Sequence, residues 1–164
     1  MSNVQFPIAN FRRGYTLVEI LVSITIISIV FGAGYVAFRE FARRQTLVSA
    51  VRGFTADLRV AQSQALAGKK PEKPECDLPY ELTGYNFEIT SSSSYKVEAK
   101  CTGGTVLIKN SNVPAEVSVS AGTANPILFK ILGGGTNVVG VSTITLSAYG
   151  QSQQITVGTG GIIE

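Results

Sequence analysis

The hydrophobic positions of the chain begin with one long unbroken run. Residues 15–38, called the apolar segment below, contain a single charged residue, Glu19, and residues 20–38 contain none. As a helix the apolar segment would span about 36 Å, at a rise of about 1.5 Å per residue. The hydrocarbon core of a bilayer is about 30 Å thick, so the apolar segment is predicted to be a membrane-crossing helix.

Over residues 39–67 the pattern becomes amphipathic. Apolar side chains recur at spacings of about three and four residues, which is typical of a helix with one buried face. These positions are Phe41, Val48, Val51, Phe54, Leu58, Ala61 and Ala65. The helix is therefore predicted to continue over residues 39–67 and to stop at Gly68, before a charged, Pro-containing loop.

Residues 68–164, called the head below, contain short segments rich in Tyr, Val, Ile and Thr that recur about every ten residues. Gly, Asn, Ser and Pro separate these segments, a pattern that predicts antiparallel strands. The predicted strands are residues 84–90, 95–101, 105–109, 116–120, 127–132, 142–148 and 153–157. Packed on the amphipathic half of the helix, they predict an α+β fold: a long N-terminal helix on an antiparallel β-sheet head.

Charge is balanced beyond the apolar segment and its borders. After Arg44 the chain has nine basic and nine acidic residues, which argues against the basic patch that nucleic-acid binding requires. Arg12 and Arg13 precede the apolar segment, and Arg39 and Arg43 follow it together with Arg44. These last three form a cationic collar, which is either simply solvated or in contact with lipid phosphates or neighbouring acidic residues.

Two ordinary processing routes compete for a basic segment followed by an apolar run. A secretory signal peptide would be cut behind the run, but this run is too long and carries Glu19 near its start. A signal anchor would keep Arg12 and Arg13 in the cytoplasm and the head outside, by the positive-inside rule. It leaves Glu19 unexplained, because a charge at the centre of a membrane helix costs about 2.5–3.5 kcal/mol and calls for a partner of opposite sign.

The residues at the start of the apolar segment resemble the cleavage and methylation motif of type IV prepilins. They read Arg12-Arg13-Gly14-Tyr15-Thr16-Leu17-Val18-Glu19 and lead into the unbroken apolar run. The resemblance implies that residues 1–14 are a leader that prepilin peptidase removes after Gly14. It also implies N-methylation of Tyr15 and an assembly role for Glu19, whose carboxylate would neutralise the amino terminus of a neighbouring subunit.

On this resemblance the chain is expected to be a minor pilin or pseudopilin, a structural subunit of a type IV pilus or of a filament like that of type II secretion. Expected partners are other pilin or pseudopilin subunits, prepilin peptidase, the inner-membrane assembly platform and the lipid bilayer. The chain would cross the inner membrane once, with the head outside the cytoplasm, and then enter the pilus or pseudopilus. The alternatives are a tip pilin for DNA uptake or adhesion, and a signal-anchored protein that never polymerises.

Parts of the amphipathic helix and head resemble minor pilins and pseudopilins of the GspH/FimT type. The segments are residues 58–66, 127–129 and 155–158. Some FimT-like proteins bind DNA through a basic C-terminal region, whereas this chain has no cation after Lys130. This difference weakens the DNA-uptake alternative.

The two cysteines of the chain, Cys76 and Cys101, both lie in the predicted extracytoplasmic head. Disulfides form and persist outside the cytoplasm, so a Cys76–Cys101 disulfide is expected, with two unrelated buried thiols as the alternative.

No catalytic, metal or cofactor site is expected. The chain has no His, no Cys-x-x-Cys, no Asp-rich loop and no nucleophile-elbow motif. The glycine run at residues 133–135 follows no βαβ unit and opens no helix, so it is predicted to be a flexible loop or hairpin rather than a phosphate-binding loop.

Overall fold

One long helix precedes a set of short strands. The computed structural model describes residues 14–164, apart from the side chains of Ala33 and Val36, so the predicted leader up to Arg13 lies outside the described residues. Helix α1 spans Leu17–Leu66. The chain divides into two compact units, Met1–Glu40 and Phe41–Glu164.

Seven strands in the second unit form two antiparallel sheets. They are β1 (Leu82–Ser91), β2 (Ser94–Cys101), β3 (Gly104–Asn112), β4 (Ser118–Ser120), β5 (Ile127–Lys130), β6 (Val141–Ala148) and β7 (Gln151–Gly158). The first sheet has the strand order β3-β2-β1-β5 and the second has the order β4-β6-β7. All named pairs are antiparallel, and the predicted α+β class is confirmed.

The alternation of side chains along β2 shows how the first sheet meets the core. Tyr95, Val97 and Ala99 are buried, while Lys96 and Glu98 between them are only partly buried. Because successive side chains of a strand point to opposite faces, one face of this sheet is apolar and the other is polar.

Within the second unit, α1 contributes one apolar face to the same core. Its buried residues are Leu47, Phe54, Leu58, Ala61 and Ala65. The Phe54 ring lies 4.9 Å from the Phe87 ring and 4.8 Å from the Tyr95 ring, measured between centroids. Aromatic contacts in this range stabilise a core beyond the area that they bury, so Phe54 links α1 to strands β1 and β2 of the first sheet.

The helix ends at Leu66, one residue before the predicted boundary. The predicted stop signal, Gly68, terminates it. Gly68 has a φ of 58°, its N–H donates to the Ala65 carbonyl at 3.0 Å, and the Lys69 N–H donates to the Gln64 carbonyl at 3.0 Å. This pair of hydrogen bonds is the Schellman arrangement, which satisfies helix-terminal carbonyls and favours glycine at the left-handed position.

Two details of the predicted pattern are wrong. The pattern places Phe41 and Val48 on the buried face, but Phe41 is 65% exposed and Val48 only partly buried, while Leu47 is buried. At about 100° per residue, Leu47 and Phe54 lie on one face, and Phe41 and Val48 are turned away from them by about 100–140°. The strand predicted over residues 127–132 ends at Lys130, since the chain then makes a 3-10 turn.

Candidate processing and assembly site

The start of α1 is fixed by Thr16. Its backbone carbonyl accepts a hydrogen bond from the Ile20 N–H at 3.2 Å, and its hydroxyl accepts one from the Glu19 N–H at 3.3 Å. Thr16 is therefore the N-cap, and Glu19 occupies the third helical position, where a carboxylate also interacts favourably with the helix dipole. Gly14 and Tyr15 directly precede this cap, outside regular secondary structure.

Gly14 has open surroundings. A Cβ built at this position meets no atom of the described residues within 4 Å. Among the described residues, packing therefore gives no reason for glycine here, in contrast to Gly84, where a Cβ would overlap the Phe129 carbonyl oxygen.

Glu19 has no basic partner among residues 14–164. Salt bridges in this part of the chain include those of Glu88, Glu98 and Asp57, and Glu19 takes part in none of these three. The Glu19 side chain is exposed, at the border of the apolar segment. A carboxylate in that environment needs a positive charge from outside the described chain when water is excluded.

The apolar segment that follows is uncovered. Each of its described side chains is exposed, and the helix is long and apolar enough, by length and composition, to cross a membrane. Three of its polar side chains donate to backbone carbonyls four residues earlier: Ser23 to Glu19, Thr25 to Leu21 and Ser28 to Ile24, at 2.7–2.8 Å. Their hydroxyl protons are thus satisfied within the helix, as an apolar surrounding requires.

Two of the arginines that follow the apolar segment, Arg39 and Arg43, each lie beside an aromatic ring. Within the first unit the Arg39 guanidinium carbon lies 5.9 Å from the centroid of the Tyr35 ring. Within the second unit the Arg43 guanidinium carbon lies 5.1 Å from the centroid of the Tyr149 ring, at the tip of the β6–β7 hairpin. Both distances are within the range of a cation–π interaction.

Cys76 and Cys101 form a disulfide with a Cα–Cα distance of 5.3 Å, within the usual range. Cys76 lies in the connection between α1 and β1, and Cys101 ends β2. Closing a loop with a sequence separation of 25 stabilises a fold by about 3.5 kcal/mol on the chain-entropy model. The disulfide thus attaches this connection to the first sheet.

A second link joins α1 to the first sheet. Asp57 on α1 accepts hydrogen bonds from the Tyr95 hydroxyl on β2, at 2.8 Å, and from the Lys109 ammonium on β3, at 2.7 Å. Burial raises the pKa of Tyr95 strongly, and the hydrogen bond and charge of Asp57 raise this pKa further. The polar contact lies at the rim of the aromatic core and holds the helix in one register on the sheet.

Residues 10–35 match the family model described as the prokaryotic N-terminal methylation motif. The match includes Gly14, Tyr15 and Glu19, and it supports a type IV pilin-like family and a structural protein processed by prepilin peptidase. It ends before the second unit, Phe41–Glu164. The comparisons with curated proteins and with solved structures found no match.

Of the predicted site residues, the structure bonds Cys76 to Cys101, and it places Gly14 and Tyr15 before the start of α1 and Glu19 in its first turn. Groups of three or more His, Cys, Asp or Glu side chains suited to a metal are not found in the described part of the chain. Sequence reasoning missed the Thr16 cap, although the order Thr-x-x-Glu before an apolar run is a known signal for it.

Proposed function

We propose that this chain is a minor pilin or pseudopilin: a structural subunit that prepilin peptidase cuts after Gly14 and that assembles into a membrane-based filament through α1. The observation that carries the proposal is the position of the methylation motif on an uncovered apolar helix. The motif supports processing, and the exposed apolar surface of the helix must be shielded from water. A bilayer provides this shielding before assembly, and the helices of neighbouring subunits provide it in the filament.

The open surroundings of Gly14 support cleavage at this residue. No described atom lies near the position of a Cβ on Gly14, so its backbone is accessible to a peptidase, and glycine adds no side chain that would hinder the approach. Hydrolysis of the Gly14–Tyr15 bond would leave a new amino group on Tyr15, which is the proposed site of N-methylation.

The new amino group of Tyr15 supplies the positive charge that Glu19 lacks within the described chain. In a filament, the Glu19 carboxylate of one subunit would pair with the Tyr15 amino group of a neighbour, inside a bundle of apolar helices. Each charge would be costly to bury alone, so subunits aligned with the pair formed are favoured over subunits in other registers.

We further propose an inner-membrane orientation with the head outside the cytoplasm. Arginines flank both ends of the apolar segment, so their count supports neither orientation strongly. The disulfide between Cys76 and Cys101 supports an oxidising compartment for the head. A GspH/FimT-type role rests on residues 58–66, 127–129 and 155–158, and the assembly platform and other pilin subunits are the partners that this role requires.

The test is co-expression of the full chain with an active prepilin peptidase, followed by mass spectrometry of its N-terminal peptide. We expect a methylated peptide that begins at Tyr15. Gly14→Leu should retain residues 1–14, whereas Gly32→Leu, at a glycine with equally open surroundings, should be cut normally. An uncut wild-type chain, beside a control prepilin that the same peptidase cuts, would overturn the proposal.

A further inference from the structure

The turn of the β6–β7 hairpin contains a residue type that such turns disfavour. Tyr149 and Gly150 form the two-residue turn, with φ angles of 53° and 77°. Both positions of such a turn favour Gly, Asn or Asp, since a Cβ is unfavourable at positive φ and a bulky ring more so. Residues held in such conformations concentrate at functional sites. The Tyr149 side chain therefore needs an explanation beyond turn formation.

Packing explains the Tyr149 ring only in part. The ring lies against the Arg43 guanidinium, at 5.1 Å, and 49% of the residue surface stays exposed. Arg43 is exposed as well. The pair thus presents a cation and a half-buried aromatic ring side by side on the surface of the second unit.

Arg43 lies close to the apolar segment along the chain. It follows Phe38, the last residue of that segment, by five positions on the same helix, and the exposed Phe41 lies between them. Tyr, Trp and Arg are the side chains that membrane–water interfaces favour, and the arginine guanidinium is a strong ligand for phosphate oxygens.

The hairpin itself carries no opposing charge. Strands β6 and β7 contain no acidic or basic residue. Glu116 borders the shallow hollow beside Tyr149, where serine and glutamine side chains provide the rest of the polar lining. The Arg43 guanidinium is the charged group in direct contact with the ring, and a cation beside an aromatic ring suits an anionic surface.

We propose that Tyr149 and Arg43 form a docking surface for anionic phospholipid headgroups, which holds the β6–β7 hairpin against the bilayer while the chain is membrane-anchored. The Arg43 guanidinium binds a lipid phosphate, and the Tyr149 ring lies among the headgroups. The inference rests on the membrane anchoring of α1 in the proposed function, and it adds a contact of the head that neither the methylation motif nor the filament requires.

The absence of tryptophan from the chain makes this contact measurable. Full-length single-tryptophan variants in nanodiscs of phosphatidylethanolamine and phosphatidylglycerol are exposed to a quencher attached to lipid headgroups. Tyr149→Trp places the probe at the site and keeps an aromatic ring beside Arg43. Tyr80→Trp is the matched control, since Tyr80 is similarly exposed, at 42%, in the connection before β1. Phe31→Trp reports whether the apolar segment is in the bilayer.

We expect severalfold stronger headgroup quenching of Trp at position 149 than at position 80. In the Tyr149→Trp background, Arg43→Gln or purely zwitterionic lipid should lower the quenching, and Arg43→Lys should largely restore it. Equal quenching at positions 149 and 80, with a probe at position 31 buried in the bilayer, would overturn the inference and leave the anchoring intact. A water-exposed probe at position 31 would overturn both, and quenching at position 149 that is insensitive to Arg43 and to lipid charge would overturn the headgroup site.

Discussion

The Tyr95 hydroxyl donates a hydrogen bond of 2.8 Å to the Asp57 carboxylate, across the contact between α1 and β2. The Asp57 side chain is only 14% exposed, and Lys109 approaches both of its oxygens, at 2.7 and 2.8 Å. A largely buried phenol without an acceptor and a largely buried carboxylate without a cation are each unfavourable. The stabilising effect of each of these three side chains therefore depends on the presence of the other two.

Removal of Asp57 should cost more than removal of either partner. We expect Asp57→Ala to lower the free energy of unfolding by about 2 kcal/mol and Tyr95→Phe by about 1 kcal/mol. Lys109→Ala should cost less than about 1 kcal/mol, because Lys109 is half exposed. Denaturant unfolding of the full chain in detergent, followed by circular dichroism, gives these values. In the Asp57→Ala, Tyr95→Phe double variant, losses that simply add would show that the two groups are not coupled.

The raised pKa of Tyr95 predicts that the folded state loses stability at alkaline pH. Burial first, and then Asp57, raise its pKa above the ordinary value of 10.0. Because the folded-state pKa lies above the unfolded-state pKa, this contribution is fully present below about pH 10 and is lost as the pH rises through the folded value. Burial raises the pKa of Tyr85 in the same direction, and hydrogen bonds to Glu98 and Glu88 raise that of Lys96.

Tyrosine absorbance near the tyrosinate band measures this difference directly. We expect Tyr95 to ionise in a late step, together with unfolding of the head, and Tyr95→Phe to remove that step. The matched Tyr80→Phe variant removes an exposed tyrosine instead and should keep the late step. A single common ionisation of all tyrosines near their ordinary pKa would contradict the assignment.

Much of the secondary structure can be predicted from the local pattern of hydrophobic and polar residues. The apolar segment, the amphipathic continuation and each of the seven strands have periodicities that one element imposes by itself, so their order is predictable. The prediction errors occur where contacts with other parts of the fold determine the conformation. Leu132, apolar and in an apolar run, takes a φ of 53° in the turn after β5, where the hydrophobic pattern continues but the strand does not.

Sequence reasoning selected residues of one short motif, and it selected Cys76 and Cys101 because the chain contains no other cysteine. Gly14, Tyr15 and Glu19 lie within one short motif, whereas Asp57, Tyr95 and Lys109 come from three elements that only the tertiary fold brings together. The contact between Arg43 and Tyr149 is of the same kind. A single sequence contains no local signal for such pairs. Each residue alone is of a type that is common on a helix face, in a strand or in a turn.

Two glycines of the second unit should respond to alanine in opposite directions. A Cβ at Gly84 on β1 would overlap the Phe129 carbonyl oxygen of the neighbouring strand β5, which is backbone and cannot move aside easily. We expect Gly84→Ala to lower the free energy of unfolding by about 2 kcal/mol. Gly53 lies inside α1 with nothing within 4 Å, so Gly53→Ala should raise the free energy of unfolding by about 0.5–1 kcal/mol.

Thermal unfolding of the two single variants and of wild type, under one set of conditions, checks both signs. The side chain added is the same, so a shared sign would mean that the local surroundings of these glycines do not control the response. If Gly84→Ala were neutral, β1 and β5 would have to separate without cost, contrary to the tight approach of their backbones.

Glu19 is expected to act in assembly rather than in cleavage. Glu19→Gln keeps the size of the side chain and the helix start but removes the charge, so the processed subunit would bury an uncompensated amino group in the filament. We expect normal removal of residues 1–14 and a more than about tenfold lower ratio of filament to membrane fraction, measured by quantitative mass spectrometry of sheared filaments. Thr16→Ala is the control, because it weakens the helix cap by about 1 kcal/mol without changing charge, and should enter filaments nearly as well as wild type. Wild-type incorporation of Glu19→Gln would show that the carboxylate does not neutralise the amino terminus of a neighbour; equal defects in both variants would assign Glu19 to the helix start instead.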